Sequence, residues 1–192
     1  MTADQSGRSS QGAAGAETPG SSSSVVAFVA LGANLGDRRA ALEGAASALR
    51  AADGVALLEG SALYETAPVG GPEGQGAFLN AAVRLETTLP PADLMRLLHE
   101  IEERWRRTRK VRWGPRTLDL DLLFYGDVVI HDDDGLIVPH PRLHQRRFVL
   151  APLADVGSEV RHPTLGDTVA ALLAALPDDD ADDVIRLEEK WT

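Results

Sequence analysis

The chain has no cysteine in 192 residues, so neither a disulfide nor a thiolate metal site is open to it. That absence fits a cytoplasmic protein. Lysine is almost missing too: only Lys110 and Lys190 occur, so nearly all positive charge is guanidinium. No stretch reaches the ~18 apolar residues that a membrane-spanning helix needs. The first residues are polar and lack an apolar core segment, which predicts no secretory leader. Net charge is −10, which argues against nucleic acid as a partner, because phosphate contacts dominate that affinity. The apolar fraction, 44%, is enough for a real core. The length predicts one domain with tails. Residues 1–24, rich in Ser, Gly and Ala, read as a disordered tail. Residues 25–177 read as the domain, and 178–192, with Asp178, Asp179, Asp180, Asp182 and Asp183, as an acidic tail.

The apolar run 25–31 predicts a buried strand. Residues 32–37 (G-A-N-L-G-D) then turn the chain into a helix, with Asp37 as its N-cap and Ala41, Leu42, Ala45, Ala48 and Leu49 at helical spacing. This glycine loop ends in neither G-K-[ST] nor G-x-G-x-x-G, so it reads as a turn plus cap rather than a phosphate cradle. Residues 55–66 predict a strand with Leu58, Ala62 and Tyr64 facing inward. A Gly/Pro loop fills 67–76, and loops of that length commonly serve function or are disordered. Residues 78–89 alternate as a strand. There Asn80 either ends a turn or reads the edge of a heterocycle, since an amide both donates and accepts. Pro91 opens a helix to about residue 106, with Leu94, Leu97, Leu98, Ile101 and Trp105 as its stripe. Beyond the next strand come a short strand in 127–135, the stiff loop Val138-Pro139-His140-Pro141, a segment 148–156 that reads as helical or irregular, and a helix 166–176. The order strand, helix, strand, strand, helix, strand predicts an α+β fold. It is a ferredoxin-like βαββαβ core with a mainly antiparallel sheet, helices on both faces and extra C-terminal elements.

Chemistry concentrates in 112–125, R-W-G-P-R-T-L-D-L-D-L-L-F-Y. Period-2 alternation sets Leu118, Leu120 and Leu122 on one face and both Asp119 and Asp121 on the other. Two carboxylates roughly 6.6 Å apart repel when ionised, and a hard divalent cation such as magnesium relieves that. A bare D-x-D also suits an antiparallel strand with one wet face. The neighbourhood favours the metal reading: Arg104, Arg106, Arg107, Arg109, Lys110, Arg112 and Arg116 precede the pair with no acid among them. Forked guanidinium contacts to phosphate and carboxylates on a metal are what a polyphosphate–magnesium complex requires.

With R-W-G-P-R-T-L-D-L-D-L-L (112–123), L-G-A-N-L-G-D (31–37), Y-E-T-A-P-V-G (64–70), F-L-N-A (78–81), V-P-H-P-R (138–142) and R-R-F (146–148) in this order, the chain resembles the 6-hydroxymethyl-7,8-dihydropterin pyrophosphokinases of folate biosynthesis. The resemblance runs from about residue 26 to about residue 176. It implies transfer of pyrophosphate from ATP to the pterin hydroxymethyl group, with release of AMP. It also implies two magnesium ions held by Asp119 and Asp121, and Arg107 and Arg116 steadying charge on the transferred group. Glu102, Arg109, His140 and Arg146 match the nucleotide side, and Thr66, Pro68, Val69, Phe78, Asn80, Trp113 and Phe148 match the pterin pocket. Residues 67–77 and 107–116 match loops that close over substrate. Phe78 stands where relatives can carry Tyr, Ala33 where Ser is common and Ala67 where Pro is common. The partners implied are ATP and the pterin alcohol, with no nucleic acid, no membrane and a monomeric state.

Two other readings compete. A non-catalytic nucleotide–magnesium protein on the same fold would keep the Asp pair and the arginines but not the pterin pocket. A ferredoxin-like RNA-binding module would need exposed sheet aromatics and a basic face, where this sheet offers carboxylates.

Overall fold

The computed structural model describes residues 23–69, 72, 74–105, 116–132, 135–177, 183–188 and 191–192. The elements in order are β1 (Val25–Ala33), α1 (Arg38–Ala51), β2 (Val55–Gly60), β3 (Leu63–Thr66), β4 (Phe78–Thr87), α2 (Pro91–Arg104) and β5 (Asp119–Tyr125). A small hairpin of β6 (Ile130–His131) and β7 (Ile137–Val138) follows. After it come a single 3-10 turn (Leu143–Gln145), α3 (Arg147–Gly157), α4 (Val169–Ala174) and β8 (Val184–Leu187).

The main sheet runs β5-β1-β4-β3-β8, with β2 also paired to β4. Every pairing among the described strands is antiparallel. β1 and β2 therefore run parallel with β4 between them, and β4 and β5 run parallel with β1 between them. These are the two interleaved crossovers of a ferredoxin-like sheet, as expected.

Helices cover both faces, for reasons local to their sequences. Asp37 caps α1, its Oδ1 accepting the Ala40 amide at 3.0 Å, and Ala41, Leu42, Ala45, Ala46 and Leu49 form the buried stripe. Pro91 starts α2, which buries Leu94, Leu98 and Ile101. Both helices pack on the sheet face that presents Val29, Leu31, Val83, Leu85 and Leu120. On the other face α3 brings Val149, Leu150, Leu153 and Val156 against Phe28, Ala82 and Phe124. Each of the Val, Leu, Ile and Phe side chains among these, fully buried, contributes about 1.5–3 kcal/mol of transfer free energy.

Three expectations change. The predicted strand 55–66 is two strands, broken at Ser61. The Ser61 hydroxyl accepts the Ala82 amide at 2.9 Å, which shifts the pairing on β4. Leu58, expected inside, is 47% exposed, because it is the unpaired residue of a bulge between Leu57 and Glu59, and it is Leu57 that packs against the core. Residues 184–187, assigned to an acidic tail, form β8 on the edge of β3, and Trp191 is buried in the core beyond it. Residues 1–22 lie outside the described residues.

Candidate active site

The site begins with an irregularity in β5. Phe28 on β1 pairs with Phe124, but Val29 pairs with Leu122, so Leu123 is an extra residue. That bulge keeps Asp119, Asp121 and Phe124 on one face although the count between them is odd. Asp119 and Asp121 point away from Leu118, Leu120 and Leu122, which enter the α1–α2 core. The bulge also frees the Leu123 carbonyl from the β1 ladder, and it accepts the His140 amide at 3.0 Å. His140 is thereby fixed beside the carboxylates.

One cavity of about 210 Å³ collects these groups. Asp119, Asp121, Arg116, His140, Arg142 and Arg146 line one side. Thr66, Ala67, Val69, Phe78, Asn80 and Phe148 line the other. The floor is the β1 backbone at residues 30–32. Arg116 forms an ion pair with Asp119. The Asp121 carboxyl is pushed above the usual carboxylate range, first by burial and then by the charge of Asp119, with His140, Arg146 and Arg116 pulling it back. Burial holds His140 below the ordinary imidazole value, and Arg146 and Arg142 act in the same direction, against the pull of Asp121.

The opposite wall is flat and partly polar. Asn80 and Thr66 are buried, and the Asn80 amide nitrogen donates to Thr66 Oγ1 at 2.7 Å. This bond leaves the Asn80 carbonyl and its second amide hydrogen for a ligand. The Arg146 guanidinium lies 5.6 Å from the centroid of the Phe148 ring, so Phe148 joins the two walls.

The donor set fits magnesium. No hydrogen bond reaches the Asp121 carboxylate among the described residues. Two carboxylates on one strand face, with no third acidic or imidazole ligand grouped with them among the described residues, suit a cation that completes its shell with water and phosphate oxygens.

Comparison with known proteins decides the family. The family model described as 7,8-dihydro-6-hydroxymethylpterin-pyrophosphokinase matches residues 28–158. The chain belongs to this pyrophosphokinase family. Relatives named 2-amino-4-hydroxy-6-hydroxymethyldihydropteridine pyrophosphokinase include one from Bacillus subtilis. It is 47% identical over 135 residues, covering 70% of this chain and 80% of the relative. One from Pseudomonas aeruginosa is 42% identical over 150 residues, covering 78% and 91%. The folate synthesis bifunctional protein of Arabidopsis thaliana is 46% identical over 138 residues, which is 71% of this chain but 24% of that one. Among solved structures, the wild-type HPPK-DHPS of Plasmodium falciparum with pterin and p-hydroxybenzoate aligns at a TM-score of 0.62 and 20% identity. The alignment covers 80% of this chain and 43% of that chain, and it supports the fold.

Every residue lining the cavity falls inside the span matched to the pyrophosphokinase model. Of the residues singled out in the sequence, Arg116, Asp119, Asp121, His140, Arg146, Thr66, Val69, Phe78, Asn80 and Phe148 meet there. Pro68 is half-buried and does not line it. Glu102 stands elsewhere as well: it is 1% exposed, and its Oε1 accepts the Leu120 amide at 2.7 Å, bracing the outer edge of β5 from α2. Arg107, Arg109 and Trp113 lie outside the described residues. Arg142 was not singled out for the site, although it sits two residues after His140 in the same V-P-H-P-R segment.

Proposed function

We propose that this pyrophosphokinase transfers the terminal pyrophosphate of ATP to 6-hydroxymethyl-7,8-dihydropterin, giving AMP and the pterin diphosphate. The observation that carries the proposal is the two-sided cavity. Carboxylates and guanidiniums on one wall suit a metal-bound polyphosphate, and an amide, a hydroxyl and two phenyl rings on the other suit a flat heterocycle. The substrate oxygen attacks the β-phosphorus of ATP, the bond to the α,β-bridging oxygen breaks, AMP departs and the alcohol proton passes to solvent. Asp119 and Asp121 would hold two magnesium ions, which would supply charge neutralisation to the polyphosphate. Arg116 and Arg107 stabilise charge on the transferred group. His140, Arg146 and Arg109 bind the nucleotide phosphates and ribose side, and Glu102 acts only at a distance, by bracing β5. Thr66, Asn80, Phe78, Phe148 and Trp113, with Val69 at the rim, hold the pterin.

No side chain on the cavity wall is needed as a strong general base, because phosphoryl transfer depends mainly on positioning and charge. The test is AMP formation from ATP and magnesium, with and without the pterin alcohol, in native protein and Asp119→Ala. We expect pterin-dependent AMP in the native protein and a loss of about 100-fold or more in the variant. ADP in place of AMP would make this an ordinary kinase. Nucleotide binding with no turnover would favour the non-catalytic nucleotide–magnesium reading.

A further inference from the structure

The geometry points to Asn34 as a positioning residue that ties the phosphate wall of the cavity to the pterin wall. Asn34 closes β1 in the G-A-N-L-G-D segment, which reads in the sequence as no more than a turn and a helix cap. Its side chain is only 7% exposed, and burying an unpaired amide is costly. Here the amide is used on both sides. Oδ1 accepts the Arg116 amide at 2.7 Å. Nδ2 donates to the Gly76 carbonyl at 3.3 Å and to Gln75 Oε1 at 3.4 Å.

The turn backbone completes the hold on Arg116. The amides of Asn34 and Leu35 both donate to the Arg116 carbonyl at 3.0 Å. Both polar groups of that peptide unit's residue are therefore pinned to one turn, directly below the guanidinium that pairs with Asp119. On the far side, Gly76 is two residues before Phe78, which lines the heterocycle wall. The neighbouring Arg38 strengthens this second anchorage. Its guanidinium donates to the Ala77 carbonyl at 2.8 Å and pairs with Glu65, next to Thr66, also at 2.8 Å.

Only an amide serves both contacts. Aspartate accepts but does not donate, and alanine does neither. This difference separates the two arms of the tie. The assignment of walls to substrates rests on the proposed reaction, but the tie itself does not.

The test uses the full chain and steady-state kinetics with each substrate varied. Asn34→Asp keeps the bond to Arg116 and loses those to Gly76 and Gln75. It should raise KM for the pterin alcohol about tenfold or more, with KM for magnesium–ATP within about twofold. Asn34→Ala loses both arms and should also lower kcat, by about tenfold or more. Asp37→Ala is the control. It removes the α1 cap in the same turn, so it should lower the melting temperature and leave both KM values unchanged. If Asp37→Ala and Asn34→Asp change kinetics alike, or if Asn34→Asp leaves the pterin KM unmoved, Asn34 has no positioning role. Hydrogen exchange of the peptide carrying Arg116 supplies a readout independent of turnover. Exchange should quicken in Asn34→Ala and not in Asn34→Asp. Equal exchange in Asn34→Ala and native protein overturns the tie, even if the chain forms no AMP and the functional reading itself has failed.

Discussion

At the scale of single residues, the site depends on one position that has no side chain. Gly32 pairs with Asn80 across β4 and with Asp119 across β5, so it lies at the seam between the two walls. A Cβ there would sit 2.9 Å from Asn80 Oδ1. Real Cβ contacts do not come that close, and Asn80 is held from its other side by Thr66 Oγ1. Gly32→Ala should therefore displace the amide and raise KM for the pterin alcohol by about tenfold, as the loss of one hydrogen bond predicts. The melting temperature should change little, since the clash relaxes into the open cavity. An unchanged KM would mean that Asn80 is not read by the heterocycle. That Asp119, Asp121 and Arg116 meet in one cluster was legible from residue type and spacing, whereas Asn80 stood between a turn and a heterocycle edge and Arg142 was missed. The role of Gly32 was not, because a missing side chain acquires meaning only from the strands on either side of it.

At the scale of elements, local pattern fixed most strands and helices, and the exceptions have identifiable causes. The step L-L at Leu122-Leu123 breaks the alternation of β5, and the sequence does not say whether a strand ends there or bulges. The register settles it as a bulge, with Phe28 opposite Phe124 but Val29 opposite Leu122. The split between β2 and β3 was invisible because Ser61 acts through Ala82, twenty-one residues away. The connection between α3 and α4 holds a testable element of the same kind. His162 is buried there, its ring edge-on to Phe124 at 5.6 Å and to His144 at 6.1 Å. Its Nδ1 accepts the Leu165 amide at 3.3 Å. Burial, with His144 adding to it, lowers the His162 pKa from the ordinary value of 6.5. Since the folded state resists the proton, stability is fully present above pH 6.5 and is lost as pH falls from there through the folded value. His162→Asn keeps an acceptor for Leu165 and does not titrate. Its urea midpoint should fall less between pH 7 and pH 5 than that of native protein. Parallel slopes would assign the acid sensitivity to other groups.

At the scale of the whole molecule, the sheet is completed by residues far along the chain. β8 pairs with β3 through Leu63↔Leu187 to Thr66↔Val184, and the Ala67 amide donates to the Asp183 carbonyl at 3.1 Å. This interaction covers the strand that delivers Thr66 to the cavity. Trp191 then enters the core at 8% exposure, its Nε1 donating to the Ser61 carbonyl at 2.7 Å. Five aspartates between 178 and 183 dominate that part of the sequence and read as a solvated tail. A four-residue strand and one tryptophan carry too little periodicity to contradict them, and their partners are more than a hundred residues distant. The energetic consequence is larger than the sequence signal. Trp191→Ala removes a buried indole and leaves the Ser61 carbonyl unpaired, which should cost about 3–5 kcal/mol. At roughly 2–4 °C per kcal/mol for a chain of this size, the melting temperature should fall by about 6–20 °C. Removing 183–192 should be worse, since the bared edge of β3 becomes a template for pairing with other chains, and self-association should appear in light scattering. A loss under about 1 kcal/mol in Trp191→Ala would mean that the C-terminal segment only rests on the sheet. The β3 edge beside Thr66 would then be held by the β8 ladder and not by the tryptophan.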